Sequence, residues 1–168
     1  SGDVWNVETT NGGNPARNIW YIETLGISKT AIDSGAYMQD LTKKQYIGEL
    51  LNTLVSKYRR IADYEKAMQY VDLMLELNPK SIAGFVHKGA LFSWYGHLLV
   101  EKAKNEHRIL KESEMKRIRM YKSKSDKFIE KAKSLGWQPQ SKQQREDYLN
   151  AIKNEKSKNA LNKGKDKQ

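Results

Sequence analysis

Between Gly48 and Ser81 the chain reads GELLNTLVSKYRRIADYEKAMQYVDLMLELNPKS, an interval of 34 residues with two apolar series separated by a break. In the first series Leu50, Leu51, Leu54, Val55 and Tyr58 recur at three- and four-residue steps, which gathers them on one side of a helix. Ala62-Asp63-Tyr64 interrupts the rhythm, and Ala67, Met68, Val71, Met74, Leu75 and Leu77 restart it. Asn78-Pro79 ends the second helix, because proline has no N–H to donate and disfavours helical geometry in the residue before it. Two such helices form a hairpin that cannot bury all its apolar surface alone, so it must stack on a neighbour.

The interval resembles a tetratricopeptide repeat in length and in the placing of its residues. Leu51, Leu54, Tyr58, Ala67, Val71, Met74 and Pro79 stand where that family places its bulky residue, leucine, tyrosine, alanine, bulky or aromatic residue, alanine and proline. Val55 replaces the family's usual glycine and Met74 its second alanine, which implies a slightly wider helix spacing. The resemblance implies binding of a protein or peptide in a groove lined by the first helix of each repeat, or a bracing role without a ligand. Further on, Ser81 caps a second hairpin whose first helix carries Phe85, Val86, Gly89, Ala90, Phe92, Trp94 and Leu98. Gly89 falls where the family places its close-contact glycine and Phe92 where it places tyrosine, so this resembles a divergent second repeat.

No proline closes that unit at the expected distance. The apolar pattern runs on through Ile109, Leu110, Met115, Ile118, Tyr121, Phe128, Ile129, Ala132 and Leu135. Either one very long helix projects, or a turn between Asn105 and Ser113 separates two helices. The turn is favoured, because Ser125, Ile129 and Ala132 then return as the partner helix, with Gly136 as C-cap and Pro139 as the delayed stop.

Upstream, Val4 to Thr10 has strand composition and Asn11-Gly12-Gly13 forces a turn. Asn14-Pro15 reads as a helix opening, with Ile19, Trp20, Ile22 and Leu25 as the apolar side and Gly26 as the end. Ser28 to Ser34 reads as a short helical turn stopped by Gly35, and Tyr37 to Asp40 as extended. Thr42 and Gln45 form a capping box, with Leu41 and Tyr46 as a hydrophobic staple, so the first repeat helix starts near Thr42. Residues 140–150 suit a final short helix using Tyr148, Leu149 and Ile152, and from Lys153 onward the chain has little to bury. The expectation is a mainly α protein: an N-terminal strand and helix segment over 1–41, a two-hairpin array over 42–139, and a basic tail over 140–168.

Charge is distributed unevenly. Residues 1–100 hold ten basic and ten acidic residues, whereas 101–168 hold twenty and ten, so the second part accounts for the whole net charge of +10. Lys116, Arg117, Arg119, Lys122, Lys124 and Lys127 are therefore candidates for contact with nucleic acid or another polyanion. Against this, the sequence has no known nucleic-acid motif. Glu112 and Glu114 are expected to solvate a charged face. No apolar run approaches the ~20 residues that cross a bilayer, and SGDVWNVETT does not have the pattern of a signal peptide. The compartment is not legible.

The candidates for chemistry are few. Cysteine is absent, which removes disulfides, thiolate metal sites and a cysteine nucleophile from this chain. His87, His97 and His107 are ten residues apart, so on a helix each turns about 80° from the last, and they are expected in surface or capping roles rather than as metal ligands. Gly12-Gly13 is not followed by the lysine and hydroxyl residue of a phosphate loop. Trp5-Asn6-Val7-Glu8-Thr9-Thr10 resembles the strand that supplies the acidic triad member in bacterial transglutaminase-like cysteine enzymes. There Glu8 would stand for an aspartate, Thr9 for a proline and Thr10 for a threonine; the carboxylate orients a histidine that activates a cysteine. The order of the segments that follow, a helical NPARNIWYIETLGIS, a repeat pair and LGWQP, is similar to that family too. With no cysteine and no histidine before Glu8, the resemblance implies a catalytically silent C-terminal part of such an enzyme, with no cofactor.

The groove implied by the repeat resemblance would be lined by Asn52, Ser56, Arg59 and Arg60 from the first repeat and Val86, Ala90, Ser93 and Trp94 from the second. This set differs from the lysine and asparagine array with which such repeats clamp a terminal carboxylate. A mixed polar and aromatic groove suits an extended segment, a helix, or the parent's own N-terminal domain.

Overall fold

The computed structural model describes residues 5–8, 14–17, 22–23, 26–139, 141–143, 146–147, 149–150 and 152–154. Two short strands, β1 (Trp5–Glu8) and β2 (Asn14–Arg17), pair antiparallel with Trp5 opposite Arg17 and Glu8 opposite Asn14. Helix α1 (Lys29–Asp33) follows, then α2 (Lys43–Arg60), α3 (Tyr64–Leu77), α4 (Ile82–Asn105) and α5 (Glu112–Ser134). The mainly helical expectation holds: α2 and α3 form one antiparallel hairpin, α4 and α5 a second, and the hairpins stack through α3 and α4.

The helix starts follow from local hydrogen bonds. Thr42 accepts from Gln45 N while the Gln45 side chain accepts from Thr42 N, closing the expected capping box. Asp63 caps α3 by accepting from Lys66 N, and Ser81 caps α4 by accepting from Gly84 N. The break at Ala62 is a left-handed residue, φ 60°, and the turn between α4 and α5 contains another, His107 at φ 50°. That turn replaces the single long helix, as the returning apolar pattern requires.

Within the first hairpin Val55, Ala67, Val71 and Met74 are fully buried, and Leu91 from α4 completes a cluster with Val55, Ala67 and Val71. Tyr58 and Tyr70 stack beside it at 5.3 Å. The second hairpin is held by aromatic rings along its length: Phe85 on Phe128, Phe128 on Phe92 at 5.7 Å, Phe92 on Tyr121, and Tyr121 on Tyr95. Gly89 is the point of closest approach, where a Cβ would lie 2.9 Å from Ile129 Cδ1.

Three expectations are corrected. Asn14-Pro15 opens no helix; it lies in β2, where a two-stranded ribbon offers only edge positions and so tolerates a residue without an N–H. The expected first strand is described over Trp5–Glu8, and Val4, Thr9 and Thr10 lie outside the described residues. Tyr37 to Asp40 is bent rather than extended: Ala36 and Tyr37 both donate to Ala31 O, and Met38 takes φ 56° as the chain turns toward α2. Leu50 is 53% exposed with Tyr46 and Ile47, because it sits on the side of α2 away from α3 and α4. The turn at 11–13, Ile19, Trp20, Leu25, Tyr148 and the tail from 155 lie outside the described residues; Ile22 and Glu23 are helical, and Ile27 N donates to Ile22 O across Gly26 at φ 61°.

Helix α1 is strapped to the far end of α5. Ser28 Oγ donates to Gly136 O at 2.9 Å and Ser34 Oγ to Leu135 O at 3.1 Å, while Lys80 Nζ donates to Ser34 O. Gly136 has φ 94°, and a Cβ there would lie 2.3 Å from Ala31 N, so both the backbone angle and the α1 contact require glycine. Gly136→Ala is expected to destabilise the chain by about 2–4 kcal/mol, combining left-handed strain with overpacking, as measured by urea unfolding. A loss below about 0.5 kcal/mol would contradict this contact.

Candidate functional site

The first helices of the two hairpins, α2 and α4, enclose an open groove of about 650 Å³. Ser56, Arg59 and Arg60 come from α2, Tyr64 from the start of α3, and Ala90, Leu91, Ser93, Trp94 and His97 from α4. Six of the eight residues expected at a groove thus converge: Ser56, Arg59, Arg60, Ala90, Ser93 and Trp94. Asn52 and Val86 lie outside the lining, and Asn52 is committed to a hydrogen bond with His87.

The aromatic wall is built around Trp94, whose ring meets Tyr64 at 4.8 Å and His97 at 5.5 Å. Tyr95, one residue on, donates its hydroxyl to Tyr64 O at 3.3 Å and ties α4 to the start of α3. The Trp94 indole N–H is buried and has no hydrogen-bond partner among the described residues.

The cationic wall is Arg59 and Arg60. Arg59 Nη1 donates to His87 Nδ1 at 2.9 Å, and since a guanidinium only donates, Nδ1 is the unprotonated nitrogen. The proton therefore sits on Nε2, which donates to Asn52 Oδ1 at 2.6 Å. Burial, and then the charge of Arg59, lower the His87 pKa from 6.5 to about 4. His87 is accordingly a bridge between α2 and α4, not the surface or capping residue expected; His97 and His107 are exposed. The sequence signal was its position in the repeat, one residue after the counterpart of Asn52.

The other expected residues are dispersed. Glu8 ends β1, opposite Asn14. Lys116, Arg117, Arg119, Lys122, Lys124 and Lys127 are all exposed along α5. At 100° per residue Lys116, Arg117, Lys124 and Lys127 share one side, whereas Arg119 and Lys122 lie on another. Glu112 is solvated as expected, but Glu114 is not: Arg108 binds it through both nitrogens at 2.7 and 2.8 Å, and Lys111 N also donates to it. These bonds, that to Arg108 first, hold its carboxyl well below the usual range and fix the entry to α5. Among the described residues no His, Asp and Glu cluster suits a metal ion, and no helix is long and apolar enough to cross a membrane.

No protein-family model matches this chain, and no curated protein or solved structure matches it either.

Protonating His87 sets a second donor against Arg59. Its folded-state pKa lies below its unfolded value, so between pH 6.5 and 4 the unfolded chain binds the extra proton and stability falls as pH falls. Allowing for solvent screening at this half-buried site, the loss is on the order of 1–2 kcal/mol, and His87→Gln should remove that part of the pH profile. Identical unfolding profiles for the two proteins over this range would contradict the lowered pKa of His87.

Proposed function

We propose that this chain is a non-catalytic, tetratricopeptide-like interaction module that holds an acidic segment of a partner polypeptide between α2 and α4. The observation carrying this reading is the juxtaposition of Arg59 and Arg60 with the Trp94 and Tyr64 rings in one groove. A carboxylate side chain of the segment would face the guanidinium groups, and its apolar side chains would lie on the Trp94 and Tyr64 rings. Tyr64, half-buried at the start of α3, supplies an apolar side on which the segment lies. Ser56, Ala90 and Ser93 are small, which leaves room for a main chain to pass.

The chain is further read as the C-terminal part of a transglutaminase-like parent. Support comes from the Trp5 to Thr10 motif, with Glu8 at the end of a strand, and from the helical hairpins that follow it. Without a cysteine the nucleophile of such an enzyme must lie elsewhere in the parent. Coding sequence upstream of Val4 with a cysteine and then a histidine supports this reading; a start codon at Val4 removes it.

Calorimetric titration of the 168-residue chain tests the groove. A dodecapeptide alternating Glu and Leu is expected to bind, and its Lys counterpart to bind at least 10-fold more weakly. Trp94→Ala removes the ring on which the segment lies, so it should weaken binding about 10-fold, corresponding to roughly 1–2 kcal/mol of lost contact. Arg59→Glu with Arg60→Glu should abolish it. Equal binding of the two peptides, or none at 1 mM, would rule out an acidic ligand.

A further inference from the structure

The charge on α5 is segregated. Taking Lys116 as the origin and 100° per residue, Lys127, Lys131, Lys124 and Arg117 follow within an arc of about 100°. Met120 is the only large apolar residue in that arc, and no carboxylate enters it. Glu112, Asp126 and Glu130 fall together on the opposite flank, and Glu114 turns inward to Arg108. All five cations are exposed, and none is in an ion pair among the described residues; the α5 pairs are Lys133 with Glu130 and Arg108 with Glu114. Arg117 and Lys124 are steadied against Tyr121 and Phe92, with their charges over the rings at 6.0 and 5.2 Å.

A row of five unmatched cations spans about 22 Å of one rigid helix, from Lys116 to Lys131. Its length and linearity suit a run of phosphates. The apolar side of α5 is already used against α4, with Ser125 and Ala132 buried and Phe128 on Phe92. The helix therefore has no apolar face to insert into a bilayer. The row also has no exposed aromatic ring on which a base could stack, and between Lys116 and Lys131 it has no short polar side chain to read a base edge, Ser113 and Ser134 lying beyond its two ends.

We propose that Lys116, Arg117, Lys124, Lys127 and Lys131 form a sequence-independent site for the phosphate backbone of double-stranded nucleic acid. The site is separate from the α2–α4 groove. Binding is electrostatic and follows counterion release, so four or five phosphate contacts give a decrease of about 100- to 500-fold in affinity between 50 and 200 mM salt.

The test is fluorescence anisotropy of a labelled 20-base-pair duplex, in two unrelated sequences, titrated with the full chain at both salt concentrations. Both duplexes are expected to bind alike at 50 mM and to show that salt dependence. Lys116→Glu with Lys127→Glu and Lys131→Glu should lower affinity at least 50-fold. The control, Arg119→Glu with Lys122→Glu and Lys133→Glu, makes the same change in net charge on the other side and should lower it less than about 5-fold. All six positions are exposed, and circular dichroism confirms that both variants fold. Equal losses in the two variants, no binding at 50 mM, or vesicles of 30% phosphatidylserine displacing the duplex through the same lysines would each overturn the proposal.

Discussion

The backbone of α4 comes unusually close to helices on two sides, and the rest of the molecule depends on that. A Cβ at Gly84 would lie 2.7 Å from Leu75 Cδ2 of α3, and one at Gly89 would lie 2.9 Å from Ile129 of α5. Because these positions carry no side chain, α4 can serve as the inner helix of both hairpin contacts at once. Leu91 then reaches the cluster of Val55, Ala67 and Val71, while Phe85 and Phe92 face the rings of α5. The groove is a consequence: α2 and α4 lean on the same second helix, α3, and the space left between them is walled by Trp94 and Tyr64.

The groove and the α5 row share this scaffold but differ in electrostatics. In the groove, two arginines share the lining with an aromatic wall, and one is held by a neutral imidazole whose other nitrogen is tied to Asn52. Along α5, five exposed cations have no carboxylate partner among the described residues. The imbalance of charge in residues 101–168 is thus a surface of one helix as much as a property of composition. The bidentate Arg108–Glu114 pair, at the turn before that helix, fixes where the row begins.

Much of this was legible from local signals. Helix limits near Thr42, Asn78, Ser81, Asn105 and Gly136 follow from apolar period, capping side chains and proline, each acting over a few residues. The groove was legible through register: Ser56 and Ala90, Arg59 and Ser93, and Arg60 and Trp94 are each 34 residues apart, so a stacked array must bring them side by side. What escaped depends on distant partners. Asn14-Pro15 has the composition of a helix start, and only pairing with β1 makes it a strand. Met38 is left-handed because of where α1 docks, and α1 docks on residues more than a hundred positions away. His87 differs from His97 only through Asn52 and Arg59 on another helix, and Leu50 is exposed because the outer side of α2 faces neither α3 nor α4.

The central claim is that α4 joins both hairpins into a single cooperative body. Native-state hydrogen exchange on Gly89→Val, followed by residue, tests it most directly. The substitution is made at the α4–α5 contact, yet amides of α2 and α3 should lose protection together with those of α5, by the same free energy. Loss confined to α4 and α5, with α2 and α3 keeping their original protection, would show that the hairpins are independent and would contradict the account.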